Sequence, residues 1–194
     1  FKGVLGGEYN FNRTEASIWK RFWLPASWGK IDCSVKGGAE WNNVPFPLLI
    51  LPEANLSYIT QREPFCLFNN MEFLNDRFAS MSISYDMNGK LFIRIPLLKI
   101  LKGREMFRVR ALWGTLTDKN NPFKQGNQSD LFEFPSRNGQ PTSFVMGDTP
   151  YMELNVGIHN IFKILRVDYV RRLNYLNAPN AKKNGVRFVL QFDF

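Results

Sequence analysis

The sequence predicts an all-β fold, an antiparallel transmembrane β-barrel of about seven or eight strands. Apolar and polar side chains alternate with a period of two along several segments, as in strands with lipid on one side and water on the other. The connections between these segments alternate between short and long, which is typical of outer-membrane barrels. The chain also ends in "GVRFVLQFDF", whose apolar residues lie on one face and include the final Phe194.

The first predicted strand segment, "LGGEYNFNRTEASIWKRFWLP", changes phase along its length. Tyr9 and Phe11 share one phase, whereas Ala16, Ile18 and Phe22 share the other. A phase change of this kind indicates one long bulged strand or two short strands.

The later segments alternate without such a break. They are "KIDCSVKGGAEW", "FASMSISYDMNG", "EMFRVRALWG", "YMELNVGIHN", "ILRVDYVRRLNYL" and the terminal "GVRFVLQFDF". In the second of these, Met81 and Ile83 oppose Ser82 and Ser84, and the other segments follow the same rule. Together with the first segment they predict about seven strands.

Long connections over residues 42–75 and 117–150 separate these segments, and loops of this length are uncommon in a compact soluble domain. If the last strand runs toward the periplasm, both long loops lie outside the cell. Seven strands would leave an external N-terminus, whereas bacterial single-chain barrels have an even strand number and both ends inside. Either the first segment splits near Arg13 and residues 1–194 form an eight-stranded barrel as a single domain, or they form the C-terminal part of a larger barrel.

Composition excludes some classes of protein. The formal charge is +8 and the pI about 9.6, but the basic residues are dispersed along the chain, which argues against a nucleic-acid partner. No apolar run reaches the roughly 18 residues that a membrane-spanning helix needs. The two cysteines, Cys33 and Cys66, have a spacing that matches no metal or redox motif, and we interpret both as apolar fillers.

Periodicity alone does not say which face of the sheet points inward. In the membrane interpretation the apolar face meets lipid and the charged face forms a hydrated interior network of Arg108, Arg110, Arg166, Asp168, Arg172 and Arg187. The candidate aromatic girdle residues are Trp41, Trp113, Tyr151, Tyr169, Tyr175 and Phe194. The alternative is a soluble lipocalin-like β-barrel that holds an apolar small ligand. The long loops and the apolar stretch "VPFPLLILP", which would have no obvious cover, weigh against it.

Several stretches carry a family resemblance: "EFLNDRFASMSISYDMNG", "IPLLKILKGREMFRVRALWG", "YMELNVGIHNIFKILRVDYVRRLNYL" and the terminal strand. They resemble the C-terminal barrel of a Gram-negative outer-membrane family whose full-length members carry an N-terminal carboxypeptidase-regulatory-like domain. The last strands are also similar to those of surface-antigen barrels of the BamA and TamA type. This resemblance implies a barrel of about 16 strands, of which the chain supplies the last seven.

The resemblance also implies roles for individual residues. In the surface-antigen barrels a long external loop with an Arg-Gly-aromatic element precedes the last five strands. Asp76, Arg77 and Phe78 lie at the matching place, although the Gly is missing, which weakens the implied assembly-factor role. The terminal strand resembles the signal that the barrel-assembly machinery reads, so the resemblance assigns this recognition to Phe188, Phe192 and Phe194.

Catalytic residues are sparse in the sequence. General-base catalysis usually needs a histidine, and His159 is the only one. Asp168 on the next strand could approach it, but no nucleophile-elbow or metal-ligand spacing accompanies the pair. We therefore interpret His159 as part of a polar interior and predict no enzyme activity, cofactor or metal.

These observations predict a non-enzymatic integral protein of the bacterial outer membrane with a structural, transport-like or membrane-assembly role. Its expected partners are membrane lipid and, during insertion, the barrel-assembly machinery. Other outer-membrane or periplasmic subunits are further candidates.

Overall fold

Seven strands form one antiparallel sheet in the computed structural model, which describes residues 10–53, 65–96, 102–124, 131–178 and 180–190. The strands are β1 (Arg13–Trp23), β2 (Lys30–Glu40), β3 (Arg77–Asp86), β4 (Arg104–Thr115), β7 (Tyr151–Ile161), β8 (Leu165–Arg172) and β9 (Asn184–Leu190). A separate two-stranded hairpin, β5 (Ser136–Arg137) and β6 (Gln140–Pro141), lies in the connection after β4. The single-turn 3-10 helices are Phe46–Leu48, Phe92–Arg94 and Asp118–Asn120.

Each strand of the large sheet pairs with its neighbours in chain order, so β1 and β9 are the two edges. Within the described residues no ladder joins β1 to β9. The predicted all-β class, antiparallel pairing and count of seven strands are thus confirmed. None of the helices in the described part of the chain is long and apolar enough to cross a membrane.

The first segment forms a single strand that is paired continuously from Arg13↔Glu40 to Trp23↔Lys30. It therefore does not split within residues 13–23; the earlier part of the segment, residues 1–9, lies outside the described residues. The large sheet's one register shift among the described strands occurs between Ile158 and Ile161, where β7 turns into β8.

The connections alternate in length as predicted. One end of the sheet carries residues 24–29, 87–103 and 162–164, and the other end carries residues 41–76, 116–150 and 173–183. The first short turn requires Gly29, whose φ is +94° and whose added Cβ would overlap the carbonyl group of Asp86. This close approach packs the β1–β2 turn against the end of β3.

The two faces of the sheet differ in chemistry. One face exposes large apolar side chains: Ile18, Phe22, Val35, Ile83, Phe107, Trp113, Val156, Tyr169, Val186, Phe188 and Leu190. The opposite face, which we call the charged face, carries buried polar side chains: Glu40, Arg110, Glu153, Asn155, Arg166, Asp168, Arg172 and Arg187. A water-soluble domain would bury the first set and expose the second.

Loop residues cover the charged face at its long-loop end. Two apolar clusters form this cover: Val44, Leu49, Leu74 and Phe134 in one, and Phe65, Phe68, Phe73, Leu112, Met146 and Tyr151 in the other. Val44, Leu49 and Ile50 of "VPFPLLILP" are thus buried. The expectation that this stretch lacks a cover was wrong, because the other long loop supplies partners such as Phe134.

Two of the predicted girdle residues were also placed wrongly. Tyr151 is fully buried in the second cluster because it shares the face of Glu153. Tyr175 packs against the same cluster, and its hydroxyl donates to the carbonyl oxygen of Thr149 at 2.6 Å. Trp41, Trp113 and Tyr169 are exposed, and Phe194 lies outside the described residues.

Candidate functional site

The charged face is built by strand alternation and register. Every second residue of β4, β7, β8 and β9 points to this face, and the ladders place opposite charges side by side. Arg110 lies opposite Glu153, and Asp168 lies opposite Arg187. Four of the six predicted network residues, Arg110, Asp168, Arg172 and Arg187, are less than 9% exposed; Arg166 lies at 9% and Arg108 is half-buried.

Glu153 lies on the charged face and binds the loop segment that contains Cys66 and Leu67. Its Oε1 accepts hydrogen bonds from the backbone N–H of Cys66 at 3.0 Å and of Leu67 at 2.7 Å. The hydroxyl of Tyr151 donates to the same oxygen at 2.8 Å. We call Glu153, Cys66 and Leu67 the Glu153 anchor. The side chain of Glu153 is fully buried, so these bonds replace its hydration.

Two arginines complete the anchor, Arg110 from β4 and Arg187 from β9. Nη2 of Arg187 donates to the carbonyl oxygen of Cys66 at 2.6 Å, and Nη1 of Arg110 contacts its Sγ at 3.6 Å. Burial raises the pKa of the Cys66 thiol, and the nearby Arg110 guanidinium partly opposes this effect. Cys66 is buried as expected, but the interpretation as an apolar filler missed these polar contacts.

Arg172 forms a second link between strand and loop. Its Nη2 lies 2.6 Å from Oε1 of Glu72, and both side chains are almost fully buried. The same guanidinium donates to the carbonyl oxygens of Asn174 and Tyr175 and lies over the Tyr151 ring at 4.9 Å. Two strands of the sheet, β7 and β8, therefore each hold the 65–76 segment through one buried charge.

Asp168 belongs to a separate group near the short-turn end. Nε of Arg166 donates to its two oxygens at 2.9 and 2.8 Å, and Nε2 of His159 lies 3.6 Å from Oδ1. Gly157 lies directly opposite, where an added Cβ would overlap the carboxylate. The predicted approach of His159 and Asp168 is present, with Arg166 bound to the same carboxylate.

The predicted loop element does not form one unit. The Asp76 carboxylate is buried and accepts hydrogen bonds from Thr117 N, at 3.1 Å to each oxygen, and from Nδ2 of Asn120 at 3.0 Å. Arg77 begins β3 and is exposed on the face opposite the charged face, whereas Phe78 is half-buried against the second apolar cluster. Of the predicted assembly signal, Phe188 is 48% exposed on the apolar face of the sheet, and Phe192 and Phe194 lie outside the described residues.

A cavity of about 880 Å³ runs along the charged face, from long-loop residues such as Ile50 and Phe65 to the short-turn residues Lys163 and Ile164. Its basic lining residues are Arg13, Arg21, Lys30, Lys36, Arg104, Arg108, Arg110, Lys163 and Arg166. Its acidic lining residues are Glu15, Asp32, Glu53 and Asp86. The wall is therefore strongly cationic, and hydroxyl groups of Ser80, Ser82 and Ser84 on β3 line it as well.

Residues 1–124 match a protein family described as a family of unknown function (DUF5686), C-terminal domain. The chain belongs to this family. The matched part of the DUF5686 C-terminal domain includes β1 to β4 and therefore most of the cavity lining. No curated protein and no solved structure matches the chain. The outer-membrane barrel and the BamA and TamA likeness thus stay predictions.

Sequence reasoning missed the residues that join loop and sheet. Glu153 has the periodicity of the charged face and could have been included with the arginines. Glu72 and Cys66 lie in a long connection without periodicity, so only the folded chain reveals their partners. Across the described residues no group of three or more His, Cys, Asp or Glu side chains is placed to hold a metal ion.

Proposed function

We propose that this DUF5686 C-terminal domain is part of a transmembrane β-barrel in the bacterial outer membrane. The observation that carries the proposal is the reversed polarity of the sheet. Val35, Ile83, Val156 and Phe188 are 39–52% exposed, whereas Arg110, Glu153, Asp168 and Arg172 are at most 1% exposed. Lipid is the solvent in which this arrangement is favourable, because the apolar face needs no water and the charged face stays inside.

The strand lengths support the same proposal. β1, β2, β3, β4 and β7 have 10 to 12 residues. At about 3.3 Å per residue and a tilt of about 40°, such strands cover roughly the 25 Å height of an apolar membrane band. The exposed Trp28 lies at the short-turn end, and Trp41 and Trp113 lie toward the long-loop end. This placement suits two interfacial aromatic girdles.

The interior is occupied by the chain's own loops at the long-loop end. The Glu153 anchor and the Arg172–Glu72 pair hold residues 65–76 against the sheet. We infer a barrel whose outer mouth is closed by folded loops and whose cationic cavity opens toward the short turns, which we place on the periplasmic side. The work of such a domain is structural, transport-like or related to membrane assembly, and it involves no catalytic step. Its partners are then lipid and, during insertion, the assembly machinery.

The soluble alternative requires the opposite arrangement of faces. A lipocalin-like barrel for an apolar ligand would line its cavity mainly with apolar side chains. The cavity here has many charged and hydroxyl side chains in its lining, beside apolar ones such as Trp19, Phe65 and Met106. A hydrolase that uses His159 would need a nucleophile beside it, and no described contact supplies one.

The experiment is extraction of the native membrane fraction, followed by gel mobility with and without boiling. Extraction by detergent alone, together with a heat-dependent mobility shift, is the expected result for a closed lipid-embedded barrel. Release into buffer with unchanged mobility would overturn the proposal and return attention to a soluble ligand-binding protein.

A further inference from the structure

We propose that the cationic cavity binds a small, multiply charged phosphate compound. The inference deepens the proposed function, because it names a ligand class for the interior of the proposed barrel. It starts from the ion pairs of the cavity wall, which divide the basic residues into two groups.

The first group is neutralised by carboxylates. Arg21 forms a two-bonded pair with Asp32 at 2.7 and 3.0 Å, and Lys36 lies 3.0 Å from Glu53. Arg166 is bound to Asp168. These charges are internally compensated and leave little attraction for a ligand.

The second group has no such compensation. Lys30, Arg104, Arg108 and Lys163 form no ion pair with any residue in the described ranges. Asp86 lies opposite Lys30 in the ladder and offsets one of these charges. Arg104 and Lys163 are exposed and Arg108 is half-buried, so an excess of about three positive charges lines one concave space, where an anion would reduce the repulsion between them.

Arg108 is the centre of the proposed site. Its Nη1 is buried and has no hydrogen-bond partner among the described residues, although a guanidinium normally satisfies its donors. The ladders place Ser84 on one side of Arg108 and Asn155 on the other. Both polar atoms of the Asn155 side chain are buried without a partner too.

The chemistry of these groups indicates the ligand. A guanidinium fork binds the oxygens of phosphate in a fixed planar geometry, and hydroxyl groups such as Ser82 and Ser84 add neutral donors. A cavity of about 880 Å³ has the size of small-molecule sites. An excess of about three charges favours a diphosphate over chloride, because one diphosphate neutralises the wall at a single position.

The test is calorimetric titration of the purified full chain in detergent with inorganic pyrophosphate at physiological salt. We expect saturable binding that is weakened about tenfold or more by Arg108→Gln, since this change removes a charge-assisted hydrogen bond. Arg171→Gln is the matched control, because Arg171 is exposed on the face of β8 that points away from the cavity. It should leave the affinity unchanged. Lys30→Gln provides a second variant and should also weaken binding.

Dihexanoyl phosphatidic acid, a soluble lipid with one phosphate headgroup, is titrated in parallel. Arg108-dependent binding of pyrophosphate assigns a soluble phosphate compound, and Arg108-dependent binding of the lipid alone assigns a headgroup. No saturable binding of either probe, or equal affinity of the wild type and Arg108→Gln, would overturn the inference. A heat-dependent gel shift of the same samples tests the barrel separately, so the two failures are distinguishable.

Discussion

Replacing Glu153 by Gln should release the 65–76 segment from the sheet. The carboxylate accepts hydrogen bonds from Cys66 N, Leu67 N and the Tyr151 hydroxyl, and it compensates the neighbouring Arg110. A hydrogen bond to a charged group contributes about 1.5–3 kcal/mol, and breaking a buried charge pair costs about 3–5 kcal/mol. Because Gln keeps one acceptor oxygen, we expect a loss near 3 kcal/mol. That corresponds to about a hundredfold increase in the open form of the loop.

The assay is the rate at which a maleimide labels the Cys66 thiol in a Cys33→Ser background. Cys66 is 1% exposed, so labelling requires opening of the loop and its rate follows the opening equilibrium. Glu133→Gln, in which an exposed carboxylate is changed in the same way, is the control and should label at the parental rate. Equal labelling of Glu153→Gln and the control would refute the anchoring role of Glu153.

The same assay gives a pH prediction. Burial raises the pKa of the Cys66 thiol in the anchored loop, so the reactive thiolate forms only above the pH at which a free cysteine ionises. Glu153→Gln should move the labelling profile to lower pH, because the released thiol regains water.

Three further predictions concern the sheet. Val35→Arg, in the middle of β2 on the exposed apolar face, should destabilise a membrane-inserted barrel by about 2–4 kcal/mol, measured by urea unfolding from vesicles. Ser34→Arg, which faces the cavity, should have a much smaller effect. Equal losses of stability in the two variants would contradict the assignment of faces. Gly157→Ala should lower the free energy of unfolding by about 1–3 kcal/mol, because the added methyl group would overlap the Asp168 carboxylate. Gly37→Ala, whose methyl group would have its nearest contact 3.4 Å away, should be nearly neutral. A neutral effect of Gly157→Ala would show that the close approach of Asp168 does not require glycine. A double-mutant cycle of Glu72→Gln and Arg172→Gln should give a coupling energy of about 1–3 kcal/mol in the same unfolding measurement. Additive effects of the two substitutions would show that the buried pair does not hold the 65–76 segment.

Much of the sheet could be predicted because the alternation of side chains is a local property. Met81 and Ile83 against Ser82 and Ser84 define a strand and its two faces without knowledge of the partners. The same argument correctly grouped Arg110, Asp168 and Arg172 on one face.

The loop contacts could not be predicted in this way. Glu72 and Arg172 are 100 residues apart, and neither the position nor the type of residue 72 signals a partner. Tyr151 was misplaced because aromatic character was weighed above phase, although it lies two residues before Glu153 and therefore on the same face. Asp76 is held by Thr117 and Asn120 from the other long loop, a contact that arises only when both loops fold onto the sheet.

The central claim is that the apolar face of the sheet contacts lipid, and spin labels test it most directly. Single cysteines at positions 34, 35, 82 and 83, introduced into a variant without Cys33 and Cys66, would carry nitroxide labels in reconstituted vesicles. The account predicts that labels at 35 and 83 are accessible to dissolved oxygen in the bilayer and shielded from a water-soluble nickel complex, and that labels at 34 and 82 are shielded from bilayer oxygen. Exposure of labels at 35 and 83 to the nickel complex, or the absence of any alternation, would contradict it.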